Sequence, residues 1–518
     1  MTGCCKEDKN QTKIIVGIDF GTTNCLIGHS TNGFDIQYLG EKALIPSQIT
    51  IIDGVWLFGN EIDTNKNIVK SIKRIIGLTL SQILTIQHQL PYTIDIKNST
   101  EDCVRVFIGW NSSSQSPYSM SVDEIVMAMM TSLKKIILKS LALTAIDTDI
   151  DAVITVPAYF DDKARNIIKK AAILSGINVI RLINEPTAAA LAYNQKLEEN
   201  KNYLVYDLGG GTFDVSVVRK YQNNLFRVMG VGGDKYLGGD DFDNALADFL
   251  ISKFDFEIDN RFDFLSAVKK FKEDFYYGNK FFTYNNAKID LSNEEFEEIL
   301  LPIINRTIAI VDNVISDFVK KNIQINYNID GIILVGGSTR LKLIHTILHE
   351  KFSSAKTMSC SRPCSQETSP RKILCELNPD EVVVHGATIH SYELINKSKN
   401  HLLIDVVSMS IGLETGKNSV EKLIPKNSQI PIKKKQVFTT QIDNQKSMRI
   451  AICQGESDKF DENIFLGKFI LSDLPEAKAG FLEIEIVFSL DSDGILTISA
   501  EEKTTKVALF VVLNQNIS

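Results

Sequence analysis

Residues 16–24 read VGIDFGTTN and residues 205–214 read VYDLGGGTFD. Each begins as an apolar strand, reaches an aspartate, turns tightly through glycine and threonine and resumes as an apolar run, so the pair is an internal repeat. Glycines at such a turn let backbone N–H groups close on phosphate oxygens, and threonine hydroxyls add donors. An aspartate at the strand end suits a hydrated magnesium ion facing those phosphates. Two such loops, one from each of two related halves, would clamp one polyphosphate. A third turn, ILVGGSTR at 333–340, follows a strand and precedes a helix, which suits an adenosine or phosphate contact. The run GLETGK at 412–417 has three residues between its glycines and no Ser or Thr after the lysine, which excludes a Walker-type site.

The chain has 518 residues, a formal net charge of −8, 44% hydrophobic and 23% charged residues, and eight cysteines. That is about three domains' worth of chain. The composition excludes a disordered chain and a disulfide-stapled miniprotein. Mild acidity argues against a nucleic-acid partner and leaves small molecules and proteins. The N-terminus, MTGCCKEDKN, lacks the apolar core of a signal peptide, and no 18 apolar residues run together. A cytoplasmic protein with reduced cysteines and no membrane partner is expected.

Residues 1–12 read as a disordered leader, and 13–399 alternate β-branched runs with helical patterns, an α/β architecture. Within it, Phe242, Leu246, Phe249, Leu250 and Phe254 recur at helical spacing behind an acidic first turn. The Ser-, Cys- and Pro-rich stretch at about 353–371 reads as a surface insertion, and Cys360 and Cys364 with Cys375 lack the paired spacing of a metal site. Residues 400–408 form a hydrophobic linker, and 409–518 alternate with period two, as in Leu482, Ile484, Ile486, Phe488 and Leu490 against Glu483 and Glu485. Asp493-Gly494 supplies a hairpin turn within that all-β unit.

In chain order, VGIDFGTTN, IKRIIG (72–77), AVITVPAYF (152–160), INEPTAAALAY (183–193), DLGGGTFDVSVV (207–218), LGGDDFDN (237–244), ILVGGSTR and NPDEVVVHGA (378–387) are similar to the motifs of heat-shock protein 70 chaperones of the DnaK type. The linker, QVFTT at 436–440 and DSDGILTISA at 491–500 continue the likeness over about residues 13 to 510. The resemblance implies an α/β actin-like (ribonuclease H-like) two-lobed ATPase domain joined to an all-β peptide-binding sandwich. It implies ATP/ADP and Mg2+ as cofactors, with K+ as a further candidate cation.

By motif position, the resemblance implies that Gly21, Thr22, Thr23, Asn24, Gly209, Gly210, Gly211 and Thr212 hold the phosphates, and that Asp19 and Asp207 position magnesium through water. Lys73 would stabilise charge on the γ-phosphate, while Glu185 and Asp207 orient the attacking water, and Thr212 belongs with them to the catalytic set that the resemblance implies. Such chemistry needs positioning and preorganised charge rather than a covalent nucleophile. Gly239, Lys272, Gly336, Gly337, Ser338, Arg340 and Asp380 match the adenosine side. There KKFKED (269–274) puts Lys269 where the family commonly has Glu and Glu273 where it often has a base, and Lys342 replaces a proline. Pro157, Arg165, Leu402, Leu403, Ile404 and Asp405 match the relay to the linker, and Arg181 matches a contact for a J-domain co-chaperone.

In the β unit, Leu413, Phe438, Met448 and Ile450 match positions that receive an apolar peptide side chain. Gly416 and Gln441 stand where a general chaperone has the Met and Ala that arch over the peptide. Those departures, with Met448 and VEKLIPKN (420–427), are closer to the HscA type, which serves iron–sulfur scaffold proteins. A general DnaK-type chaperone is the alternative. From other classes, an actin-fold small-molecule kinase and a non-hydrolysing nucleotide-gated binding module remain. About 385 residues for the ATPase and 110 for the sandwich leave none for the family's helical lid, so its absence is expected.

Overall fold

The computed structural model describes residues 12–512 apart from 34, 63–66, 144–147, 255–257, 259–260, 286, 322–327, 354–371, 397–400, 504–505 and 507. The leader and the insertion expected at 353–371 fall almost entirely outside the described residues.

Two sheets repeat one plan. In the first, Thr12–Phe20 pairs in parallel with Thr148–Val156, which pairs in parallel with Asn178–Asn184, while the other side of Thr12–Phe20 makes a hairpin with Asn24–His29. In the second, Lys201–Leu208 pairs in parallel with Gly331–Val335 and makes a hairpin with Phe213–Lys220. Lys372–Leu374 and Leu225–Asp234 extend it on either side. The central strands are near-continuous apolar runs because both faces are covered. Thus Asp19 and Asp207, paired with Leu26 and Asp214 across their hairpins, occupy matching places at the sheet ends.

Between the sheets lie two helices, Glu185–Ala192 and Val382–Asn396. They approach so closely that a Cβ on Gly386 would stand 1.7 Å from the Ala188 carbonyl oxygen, which explains a glycine facing an alanine run. The longest helix, Asn293–Lys321, includes the stretch Asn293–Lys320, long and apolar enough to cross a membrane by length and composition alone. Its Phe296, Leu300, Ile304, Val311, Val314 and Phe318 are buried in the core of the second half.

After His401 the chain builds two four-stranded sheets. One has the order Ser419–Ile424, Ile411–Thr415, Met448–Gln454, Ile464–Leu471; the other runs Ile432–Phe438, Ile484–Leu490, Leu496–Glu502, Ala508–Val512. Their inner faces share a core of Ile411, Ile452, Ile484, Phe488 and Leu496. Lys433, Lys434 and Lys435 lie exposed on the edge strand, where charge discourages further pairing. The linker is a strand, not a loop. Leu402–Val406 adds in parallel to Leu225–Asp234, with Leu225, Phe226 and Arg227 opposite Leu402, Leu403 and Ile404. Its far side pairs with Gln429–Ile430 of the β unit.

Candidate functional site

The loops after Phe20 and Leu208 face each other across a narrow, partly open cleft with a cavity volume of about 90 Å³. Of the residues expected to form the site, Asp19, Gly21, Thr22, Thr23, Asn24, Lys73, Glu185, Asp207, Gly209, Gly210, Thr212, Gly336, Gly337 and Asp380 line it. Lys73 Nζ donates to Glu185 Oε1 at 2.5 Å, and both side chains are buried. The helix holding Glu185 at its first residue fixes that carboxylate, and the turn Ile72–Arg74 delivers Lys73 from the facing wall.

Around this pair sit Asp19, Asp207 and Asp214, all buried. Burial, reinforced by the Glu185 carboxylate, pushes Asp19 up to about 7. Burial and then Glu185 push Asp207 and Asp214 well above the carboxylate range. For Lys73, burial favours the neutral amine, but Glu185 and Asp19 outweigh it and hold the ammonium above its ordinary value. Carboxyls crowded in this way suit a cation, which would return them to the ionised form. Among the described residues no three His, Cys, Asp or Glu groups converge to hold a metal directly. Asp19 and Asp207 therefore fit an ion that keeps its own water shell.

The donors fit a polyphosphate. The Thr22 and Thr23 hydroxyls are buried without partners. A Cβ on Gly210 would stand 1.9 Å from Thr23 Oγ1, so the loops meet where only glycine fits. Behind them, the Gly239 N–H donates to the Gly209 carbonyl at 3.0 Å and Ser338 Oγ donates to the same carbonyl at 2.8 Å. Gly239 and Ser338 thus brace the loop instead of lining the cleft. Gly211, Lys272 and Arg340 are likewise outside its wall. Lys272 is buried against Asp243 at 2.7 Å and donates to the Gly239 carbonyl, while Arg340 pairs with Asp380 at 2.6 Å. Asp214, given no role by sequence reasoning, is also part of this buried group. Its Oδ1 accepts the Ala158 N–H at 3.1 Å, and the signal for it is a second aspartate just past the glycine turn in DLGGGTFD.

The residues that the resemblance assigns to a relay lie together. Arg165 donates to the Asn184 side chain at 2.7 Å and to the Phe160 carbonyl at 3.1 Å, and linker Asp405 accepts from Thr187 Oγ1 at 3.1 Å. The Phe160 N–H returns to the Pro157 carbonyl. The turn Asp493-Gly494 of the β unit lands on this group. Asp493 Oδ1 accepts the Leu182 N–H at 3.0 Å and lies 3.5 Å from Arg181 Nε; Oδ2 accepts from Lys169 Nζ at 2.5 Å. Arg181, expected to meet a co-chaperone, here faces the β unit.

Next to it, Asp162 Oδ1 accepts the Leu496 N–H at 2.6 Å. Burial pushes Asp162 up to about 7 against the opposing pull of the Leu496 bond, and Asp161 adds to the rise. The docked form then keeps a proton that an exposed aspartate, ordinarily at 3.8, gives up. Docking should be favoured at low pH, weaken as pH climbs towards about 7, and level off above it. Fluorescence transfer between labels on the two units, followed from about pH 5 to about pH 8, should show this slope, and Asp162→Asn should flatten it.

On the β unit, Leu413, Phe438, Met448 and Ile450 line one groove together with Leu482 and Ile486, and Gly416 and Gln441 border it. Gly416 has a φ of +61° with nothing within 4 Å of an added Cβ, so that side of the groove is open.

Comparison with known proteins follows this geometry. A family model described as Hsp70 protein matches residues 15–516. A chaperone protein HscA homolog from Rickettsia prowazekii is 37% identical over 511 residues, covering 98% of this chain and 78% of the relative. The homolog from Rickettsia felis is 36% identical over 536 residues, covering 98% of this chain and 80% of the relative.

Proposed function

The chain belongs to the Hsp70 family, and from that premise we propose that it is an ATP-hydrolysing chaperone that captures and releases extended apolar peptide segments. The observation that carries this reading is the buried Lys73–Glu185 pair between two facing phosphate loops. Asp19 and Asp207 would hold hydrated magnesium, which supplies charge neutralisation on the phosphates. Thr22, Thr23 and the glycine N–H groups would bind them, Lys73 would stabilise charge at the γ-phosphate, and Glu185 with Asp207 would orient water and take its proton. Leu413, Phe438, Met448 and Ile450 would take the peptide side chain. Arg165, Asp405 and the linker strand would carry the nucleotide state to that groove.

The open border at Gly416 and Gln441, and relatives named HscA homologs, support service to an iron–sulfur scaffold protein together with a J-domain partner in the cytoplasm. A peptide-array screen with an ATPase readout tests both levels. We expect apolar peptides, the scaffold segment above all, to stimulate hydrolysis. A phosphorylated small molecule as product, or no hydrolysis even with a J-domain protein, would refute the reading.

A further inference from the structure

Arg74 follows Lys73 in the turn Ile72–Arg74 of the first half, yet its guanidinium lies against the second. The side chain is 4% exposed, and Nη2 stands 3.4 Å from Asp240 Oδ2 and 3.6 Å from Asp241 Oδ2, both on the first turn of helix Gly239–Phe254. These separations exceed a good hydrogen bond. Nε and Nη2 have no hydrogen-bond partner although both are buried. A Cβ on Gly211 would stand 2.8 Å from Nε and 2.7 Å from Thr22 Cγ2, so the guanidinium covers the apex of the second phosphate loop beside the first.

A buried cation with idle donors is unfavourable unless another state of the site uses them. Bringing the halves together by about half an ångström would put both carboxylates within reach of charge-assisted bonds from one planar fork. We propose that Arg74 is a positioning residue that latches the two halves when a triphosphate fills both loops. It thereby fixes Lys73, its neighbour in sequence, against the loop 209–212. It touches no reacting atom. The inference rests on the ATPase reading above. A latch that tightens after both loops engage acts on the hydrolysis step more than on nucleotide affinity.

The test measures ATP affinity and single-turnover hydrolysis on the full chain. Arg74→Ala should slow hydrolysis about 100-fold while affinity stays within about threefold. Arg74→Lys should recover little, because an ammonium cannot fork, and added guanidinium ion should restore part of the alanine variant's rate. The pair Asp240→Asn and Asp241→Asn should reproduce the loss, and adding Arg74→Ala should cost no more. If Arg74→Ala does not fold, the paired aspartate variant reads the latch from the other side. Equal losses in affinity and rate, additive losses, or a fully active Arg74→Lys would overturn the latch. Wild-type chain without hydrolysis would overturn the ATPase reading instead, whereas active wild type with equally active variants overturns the latch alone.

Discussion

Lys73→Ala should abolish ATP hydrolysis and leave ATP binding largely intact. Among the described residues lining the cleft, Lys73 is the lone cation, so no neighbour can replace its charge as it develops on the γ-phosphate. The binding donors, Thr22, Thr23 and the glycine N–H groups, come from other elements and survive the change. Removing Lys73 also strands Glu185 beside Asp19, Asp207 and Asp214, which burial and then the Glu185 charge already push up. The expected drop is at least about 10³-fold in the single-turnover rate, with a stability cost of about 3 kcal/mol from the unpaired buried carboxylate. ATP-dependent protection against thermal unfolding checks that the variant still binds. Hydrolysis within about tenfold of wild type would remove Lys73 from the reaction.

The second large effect is expected at Asp493. One carboxylate, 9% exposed at its side chain, accepts from Lys169 and the Leu182 N–H and faces Arg181, and its backbone carbonyl accepts from Arg165 at 3.3 Å. Asp493→Ala keeps the turn, where Gly494 holds a φ of +74°, but leaves two cations and a backbone donor without their shared acceptor. Breaking a buried charge-assisted cluster costs about 3 kcal/mol, a shift of more than about 100-fold in the docking equilibrium. Cleavage at the linker by a non-specific protease, measured with ATP, should rise accordingly, while ATP affinity stays unchanged. Wild-type protection in the variant would show that the cluster does not hold the units together.

The two facing glycine loops of the cleft were legible in the sequence because each is local. An aspartate, a tight turn and a strand lie within ten residues at both Asp19 and Asp207, although Asp19 also accepts from the distant Thr155. Lys73 and Glu185 were legible only through motif resemblance, since their contact spans 112 positions. Asp493 read as a hairpin turn and nothing more. Its role depends on partners more than 300 positions away in another unit, and no periodicity records that. Arg74 and Asp162 stayed silent for the same reason: each meets its partner only after two separate bodies come together. Lys272 and Arg340 show the converse. The resemblance places both at the adenosine side, whereas neighbouring acids, Asp243 and Asp380, engage them and neither lines the cleft.

The linker strand has a further consequence. Leu402–Val406 is held by a short register to Leu225, Phe226 and Arg227 on one side and to Gln429 and Ile430 on the other. While it stays there, neither neighbouring strand offers free backbone donors and acceptors on that side. If it leaves, two open β edges appear at once, flanked by apolar residues such as Phe226 and Ile430. Open edges template pairing with other chains. The strand that links the two units therefore also covers two pairing edges, and its release would open both to other chains.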